Sequence, residues 1–320
     1  FVATGGGLNL TIANSTISGN TATGGAGGVL VSNAGATSGA ASTINFVNST
    51  ISGNTANGNG GGMLVEQPAA TGTMTVNCNF CTVANNRANN DNSGTESGGG
   101  IFRSTAGTVN LKNSLIGDNT VGTGGTGPDV SGAINSQDYN HIEDTSGATI
   151  GGTTTNNTTG DAQLGPLASN GGATLTHLPG GSSPVLNSIP NATNDCGNVV
   201  TTDQRGIARP VGGACDRGSV EVSVVSVPAY ISGTVRSAGG RTLRNVWVTL
   251  SGGSLPSPIL VQTGDFGTFR FDGVMTGATY TLSIADGKRY TFSPSSRQIN
   301  LTGNLDNEDF TSTNDMAIEK

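Results

Sequence analysis

An eleven-residue segment returns nearly unchanged within the first half of the chain, and it constrains the fold more than any other feature. Ile12 to Ala22 read I-A-N-S-T-I-S-G-N-T-A, and Phe46 to Ala56 read F-V-N-S-T-I-S-G-N-T-A, a displacement of 34 positions. Weaker copies follow at Cys78 to Ala88 and Leu111 to Val121, 32 and then 33 positions further on. A second motif precedes each later copy: Gly27-Gly28-Val29-Leu30-Val31, Gly61-Gly62-Met63-Leu64-Val65 and Gly99-Gly100-Ile101-Phe102-Arg103. Self-similarity at this period marks stacked units, none of which can bury its apolar face alone.

The local period identifies the unit. Apolar residues alternate at Leu8, Leu10 and Ile12, at Met74, Val76 and Cys78, and at Val109 and Leu111, which is the period of a strand. The density of Gly, Thr, Ser and Asn disfavours helix. Short strands joined by Gly/Asn turns, stacked in parallel about 4.8 Å apart, bury one continuous core. The expected fold is all-β, a right-handed parallel β-helix. Aligned positions then form columns: Ile17, Ile51, Val83 and Ile116 inward, and Asn20, Asn54, Asn86 and Asn119 three residues later. Asparagines in register can pass amide hydrogen bonds from coil to coil, and Asn tolerates the left-handed conformation of a tight bend. Asn14-Ser15-Thr16 and Asn48-Ser49-Thr50 match the glycosylation pattern, but the repeat accounts for them better.

These residues resemble the G-G-G-I-Y-N…N-S-T-I-S-G-N-T-A repeats of bacterial surface proteins of the pectin-lyase-like, polymorphic outer-membrane type, over residues 1 to about 145. In that alignment Phe1 and Val2 fall inside a repeat. The expectation is that either more coils precede Phe1 or the first coil is incomplete, with Phe1 and Val2 as a candidate assembly edge. No signal-peptide pattern is present, so any export signal is expected to have been removed or to lie outside these residues.

From Asp161 the chain reads D-A-Q-L-G-P-L-A-S-N-G-G-A-T-L-T-H-L-P-G-G-S-S-P-V-L-N-S-I, then T-D-Q-R-G-I-A-R-P and G-A-C-D-R-G-S-V-E to Glu221. This is similar to the segment that ends β-helix repeats in the choice-of-anchor class of bacterial surface proteins. The resemblance implies export and display, although Asn187 stands where the pattern has Asp and no anchor sequence follows. Cys196 and Cys215, with 18 residues between them, are expected to form a disulfide worth roughly 3 kcal/mol if unstrained, in an oxidising compartment. Cys78 and Cys81 invite a zinc or redox reading of C-x-x-C. Cys78 sits in the inward column of Ile12, Phe46 and Leu111, however, and no second C-x-x-C or nearby His completes a site, which favours a buried thiol pair or a local disulfide. Asp203, Arg205, Arg209 and Asp216 form the densest charged cluster and are read as a salt-bridged closure of the stack.

Near Val227-Pro228 the repeat is gone. Alternating segments at Tyr230–Arg236, Val246–Leu250, Ile259–Gln262, Thr268–Asp272, Thr279–Ala285, Arg289–Phe292, Arg297–Leu301 and Glu308–Thr311 predict a small antiparallel β-sandwich. The pattern I-S-G-T-V…L-R-N-V-W-V-T-L…G-T-F-R-F-D-G-V…Y-T-L-S-I resembles the carboxypeptidase regulatory-like, transthyretin-like fold, whose members serve as spacers or binding modules. Trp247, the only tryptophan, is expected in the core rather than as a ligand platform. The expected division is a β-helix over 1–226 (repeats 1–145, closing module 146–226), a sandwich over 227–314 and a tail over 315–320.

Composition narrows function. The 52 glycines keep no collagen period, and a net charge of -7 over 320 residues gives little of the self-repulsion of disordered chains. No run approaches the roughly 18 apolar residues of a membrane-spanning helix. Residues 1–228 hold 13 acids against 6 bases and residues 229–320 hold 8 of each, so a nucleic-acid partner is not expected. The first ionisable side chain is Glu66. The column of Asp118 has Gly19, Gly53 and Asn85 in the other coils, so no acidic ladder for polysaccharide cleavage forms. Asp91, Glu96, Asp129, Asp138, Glu143 and Asp144 read as turn charge, and His141 and His177 have no Cys or Ser partner nearby in sequence. The expectation is therefore no catalytic, metal or cofactor site, and an extracellular structural or adhesive protein whose partner is another copy of itself or a cell-surface glycan. A carbohydrate-active or glycan-binding β-helix is the alternative.

Overall fold

The computed structural model describes residues 7–32, 41–67, 72–104, 106–222, 227–253, 255–285 and 290–314. It divides into two compact units, Phe1–Ser223 and Val224–Lys320. All regular elements are strands.

The first unit is a parallel β-solenoid. Asn9–Ala13, Ala41–Val47, Thr73–Asn79 and Thr108–Lys112 stack in one face, continued by Val130–Gln137 and Ala148–Thr153. Thr16–Ser18, Thr50–Ser52, Thr82–Ala84, Leu115–Gly117 and His141–Ile142 make a second face, and Thr21–Ala22, Thr55–Ala56, Arg87–Ala88 and Thr120–Val121 a narrow third. Val29–Ser32, Met63–Glu66 and Ile101–Arg103 complete the wall, joined by the start of Val130–Gln137. The register reproduces the sequence columns: Ile17 opposes Ile51, which opposes Val83, which opposes Ile116. Inward residues such as Ile44, Phe46, Val76, Cys78, Val83 and Leu111 are buried, because the strand period sends every second side chain to the same side.

Residues 162–221 return along the flank of the stack. Of the expected closing module, 146–226, Ala148–Thr153 stacks on Val130–Gln137, and the larger remainder covers a flank rather than an end. The module touches the second face at Thr16, Thr50, Thr82 and Leu115, one position in each of four successive coils. The cause is chemical: outward threonines there offer hydroxyls that a covering segment can satisfy, whereas the end of a stack offers mainly backbone.

In the second unit, Thr268–Met275, Pro228–Arg236 and Phe310–Thr311 form one sheet, and Ile259–Gln262, Trp247–Gly252, Ala278–Ile284 and Ser296–Leu301 the other. Neighbours are antiparallel except Pro228–Arg236 with Phe310–Thr311. Ile231, Phe269, Phe271 and Phe310 from the first sheet share a core with Val248, Leu250, Tyr280 and Leu282 from the second. The expected strand Arg289–Phe292 is absent from the described residues 290–292. Thr291 N donates instead to the Asn314 side chain, and only the single bridge of Phe292 with Ser312 forms.

Candidate functional site

Two sequence motifs prove to be halves of one device. Asn20 Nδ2 donates to Asn54 Oδ1, Asn54 Nδ2 to Asn86 Oδ1 and Asn86 Nδ2 to Asn119 Oδ1, each at 2.9 Å. Each acceptor oxygen also takes the backbone N–H of the preceding asparagine. The double glycines make room for this ladder. A Cβ on Gly62 would lie 2.9 Å from the Asn86 amide, and one on Gly100 2.8 Å from that of Asn119. The ladder ends on a carboxylate, with Asn119 Nδ2 donating to Asp129 Oδ1 at 2.9 Å. Burial pushes the Asp129 carboxyl up to about 6 against its hydrogen bonds from Asn119 and the Asp144 N–H. A second, outward ladder was not recognised in the sequence: Asn135 donates to Asn110, Asn110 to Asn77 and Asn77 to Asn45 at 2.7 to 2.8 Å. Its signal was available as the aligned T-x-N triplets Thr43-Ile44-Asn45, Thr75-Val76-Asn77 and Thr108-Val109-Asn110.

The flank module is pinned by side chains that bridge coils. Gln204 Nε2 donates to Thr16 Oγ1 at 2.8 Å while its Oε1 accepts from Thr50 Oγ1 at 2.7 Å. Ser219 N donates to Thr82 Oγ1 at 2.9 Å. Lys112 pairs with Asp195 at 2.8 Å. Cys196 and Cys215 are disulfide-bonded, with Cα atoms 5.9 Å apart, and are buried with Phe80, Ile189 and Val200.

The charged cluster contains one acid that the sequence reading omitted. Arg209 pairs with Glu221 at 2.7 Å, both side chains fully buried, and Arg205 pairs with Asp203 at 2.8 Å. Asp216 makes no ion pair. It accepts the N–H groups of Asn187 and Val222. The Arg209 guanidinium also lies over the Phe80 ring, 4.2 Å from its centroid, which joins the network to the third coil. Three carboxylates thus face two guanidiniums in a dry site. Burial pushes Glu221 up to about 7 and Asp216 to about 6, against the attraction of Arg209. Burial also pulls Arg209 down from its ordinary range. The ion pairs and hydrogen bonds of the group run within the module, and the Arg209–Phe80 contact ties it to the stack. Glu221 was signalled only as the lone acid ending G-S-V-E.

Neither histidine is solitary. His141 Nδ1 lies 2.8 Å from Thr158 Oγ1 and its Nε2 2.7 Å from the Gly160 carbonyl. His177 Nε2 lies 2.8 Å from Ser52 Oγ, and its Nδ1 2.7 Å from the Gly165 carbonyl. The partner is not one that sequence proximity shows: 125 positions separate the two, and the return of the module along the flank brings them together. Ser52 and His177 border an open cleft of about 350 Å³. Burial lowers both histidines, opposed at each by its carbonyl hydrogen bond.

Cys78 and Cys81 are buried free thiols, which removes the local-disulfide alternative, and a hydrogen bond with Cys81, together with burial, holds the Cys78 thiol well above its ordinary range. No group of three or more His, Cys, Asp or Glu side chains able to hold a metal ion occurs among the described residues. Trp247 is half exposed, at 50%, not buried in the core. It opens the strand Trp247–Gly252 with its side chain on the face opposite Val248 and Leu250, which are the residues that enter the core. Phe1 and Val2 lie outside the described residues. No helix among the described residues is long and apolar enough to cross a membrane. In comparisons with family models, curated proteins and solved structures, nothing matches the chain.

Proposed function

We propose that this is a secreted bacterial surface protein with a structural or adhesive role, in which the solenoid is a stiff rod and the second unit a spacer or docking module. The observation that carries the reading is the continuous asparagine ladder, Asn20 to Asn119, closed along its flank by a module that holds a disulfide. Such a stack resists local opening, since freeing one rung leaves buried amides unpaired on both sides. A disulfide suits an oxidising compartment. The motif resemblance to surface-displayed repeat proteins points the same way.

The test is antibody labelling of intact producing cells. Labelling without permeabilisation is expected, and labelling only after permeabilisation would overturn the reading. A narrower version has subunits joining end to end through strand addition. Sedimentation and electron microscopy of the purified chain decide it: linear assemblies are expected, and monomers at high concentration exclude this version alone.

A further inference from the structure

We propose that Ser52, His177 and Asn85 form an acyl-transfer site that hydrolyses small, uncharged carboxylic esters. A carbonyl oxygen can only accept, so the 2.7 Å contact with Gly165 places the proton of His177 on Nδ1. Nε2 then keeps its lone pair, and the Ser52 hydroxyl, 2.8 Å away, donates to it. This is the tautomer and orientation that general-base activation of a serine needs, with a main-chain carbonyl as the orienting third group. Burial pulls His177 below its usual range, so at neutral pH the ring is uncharged and free to take a proton.

The surroundings are suited to a substrate. Ser18, Gly19, Gly53, Asn85, Pro166 and Leu167 line the cleft together with the pair. Gly19, Gly53 and Asn85 follow Ser18, Ser52 and Ala84, which are register partners in successive coils. A Cβ built on Gly19 or Gly53 meets nothing nearer than 4.0 Å, so the floor beside the nucleophile is open. Asn85 is exposed on that floor, and its amide is a neutral donor suited to an oxyanion. Among the described residues His177 is the only ionisable one lining the cleft, which selects an uncharged ester, while Pro166 and Leu167 offer an apolar wall to a short acyl chain. About 350 Å³ admits acyl groups of acetyl to butyryl size.

In the reaction, Ser52 Oγ adds to the ester carbonyl carbon while its proton passes to His177 Nε2, and the carbonyl oxygen takes its negative charge against the Asn85 amide. The bond to the alkoxy oxygen breaks, the leaving alcohol takes the proton from His177, and acyl-Ser52 remains. Water, losing a proton to His177, adds to the acyl carbon. Its collapse releases the carboxylic acid and returns the proton to Ser52. The co-reactant is water alone.

The competing role is a hydrogen bond that only anchors the module to the stack, and the structure supplies substitutions that separate the two. Ala84 and Gly117 occupy the register positions of Ser52 in later coils, so Ser52→Ala preserves the fold. Asn85→Gly copies Gly19 and Gly53. His177→Gln keeps a hydrogen-bonding side chain but no base. The intact chain is treated with a fluorophosphonate and assayed on p-nitrophenyl acetate and butyrate. A covalent adduct on Ser52 is expected, with turnover at least about 100-fold lower in Ser52→Ala and His177→Gln. Asn85→Gly is expected to lose about 100-fold in kcat with little change in KM. The rate should rise with pH through one ionisation below the ordinary histidine range. Absence of a Ser52 adduct, or turnover equal in wild type and a folded Ser52→Ala, overturns the proposal. Lowered thermal stability of His177→Gln with no turnover in the wild type assigns the pair to anchoring and also overturns it.

Discussion

The two units solve the same problem, burying a β-rich chain, with different interiors. The second is filled with large rings: Phe269, Phe271, Tyr280, Phe292 and Phe310 pack between its sheets, with Phe269 and Phe271 edge to face at 6.0 Å. The first buries a column of amides and hydroxyls as readily as its aliphatic column, with Asn54, Asn86, Thr50, Thr82 and Ser52 each at most 2% exposed. Repetition explains the difference. In the stack each asparagine amide meets its own copy one strand spacing away and is satisfied by translation, while the hydroxyls of Thr50, Thr82 and Ser52 are satisfied by the flank module. A non-repeating core has no such supply and uses apolar volume instead.

The largest effect should come from breaking the middle rung. Asn86 donates to Ile51 O, Ala84 O and Asn119 Oδ1, and accepts from the N–H and the amide of Asn54. Asn86→Leu strands several of these in the interior, each at about 1–3 kcal/mol. A loss of at least about 4 kcal/mol is expected, read as a lost or strongly shifted unfolding transition of the first unit while that of the second persists. The counterpart, Phe271→Ala, should cost about 3–5 kcal/mol and shift only the second transition. If Asn86→Leu were mild, stacking of identical amides would not be what holds the solenoid.

Next in size is the disulfide. Replacing both Cys196 and Cys215 by serine opens a loop of sequence separation 19 and should lower the first unit's stability by about 3 kcal/mol, measured by denaturant titration. Reduction of the wild type should reproduce the loss and leave the second unit unchanged, since its described residues contain no cysteine.

A smaller effect depends on pH. Burial pushes Glu221 in the folded chain up to about 7, above its ordinary 4.5. A raised acid binds its proton more readily folded than unfolded, so its contribution is complete below about pH 4.5 and lost as pH rises through about 7. His177 and His141 are lowered, so theirs is present above 6.5 and lost as pH falls. The two trends oppose in the same window, and a wild-type profile alone hides both. The difference between wild type and Glu221→Gln isolates the acid: from pH 4.5 to 7 the wild type should lose about 1–3 kcal/mol relative to the variant. A difference independent of pH would mean that Glu221 stays ionised in its pair with Arg209.

What was legible in the sequence follows the same division. Columns such as Ile17 to Ile116 and Asn20 to Asn119 are visible because a repeat writes each contact several times at one spacing. Contacts made once, between distant segments of unlike sequence, leave no such mark. Ser52 with His177, Gln204 with Thr16 and Thr50, and Arg209 with Phe80 are of this kind. The charged cluster was found as a local density of charge, but Glu221 and the lateral course of the module were not, because neither changes local composition. In the second unit alternation gave the strands, yet alternation does not say which face is covered.

Trp247 is where that ambiguity can be measured with the least perturbation. It is paired with Gln262 across the sheet, and it shares its outward face with Leu260, which opposes Thr249 and is 56% exposed. A lone tryptophan makes fluorescence unambiguous: emission should lie near that of indole in water and be quenched efficiently by acrylamide in the native state. Because its ring leaves the core residues Val248 and Leu250 undisturbed, Trp247→Thr should change stability by no more than about 0.5 kcal/mol. Threonine suits a strand position with one wet face, so no propensity loss offsets the result. A blue-shifted, unquenched emission or a loss of several kcal/mol would return Trp247 to the core.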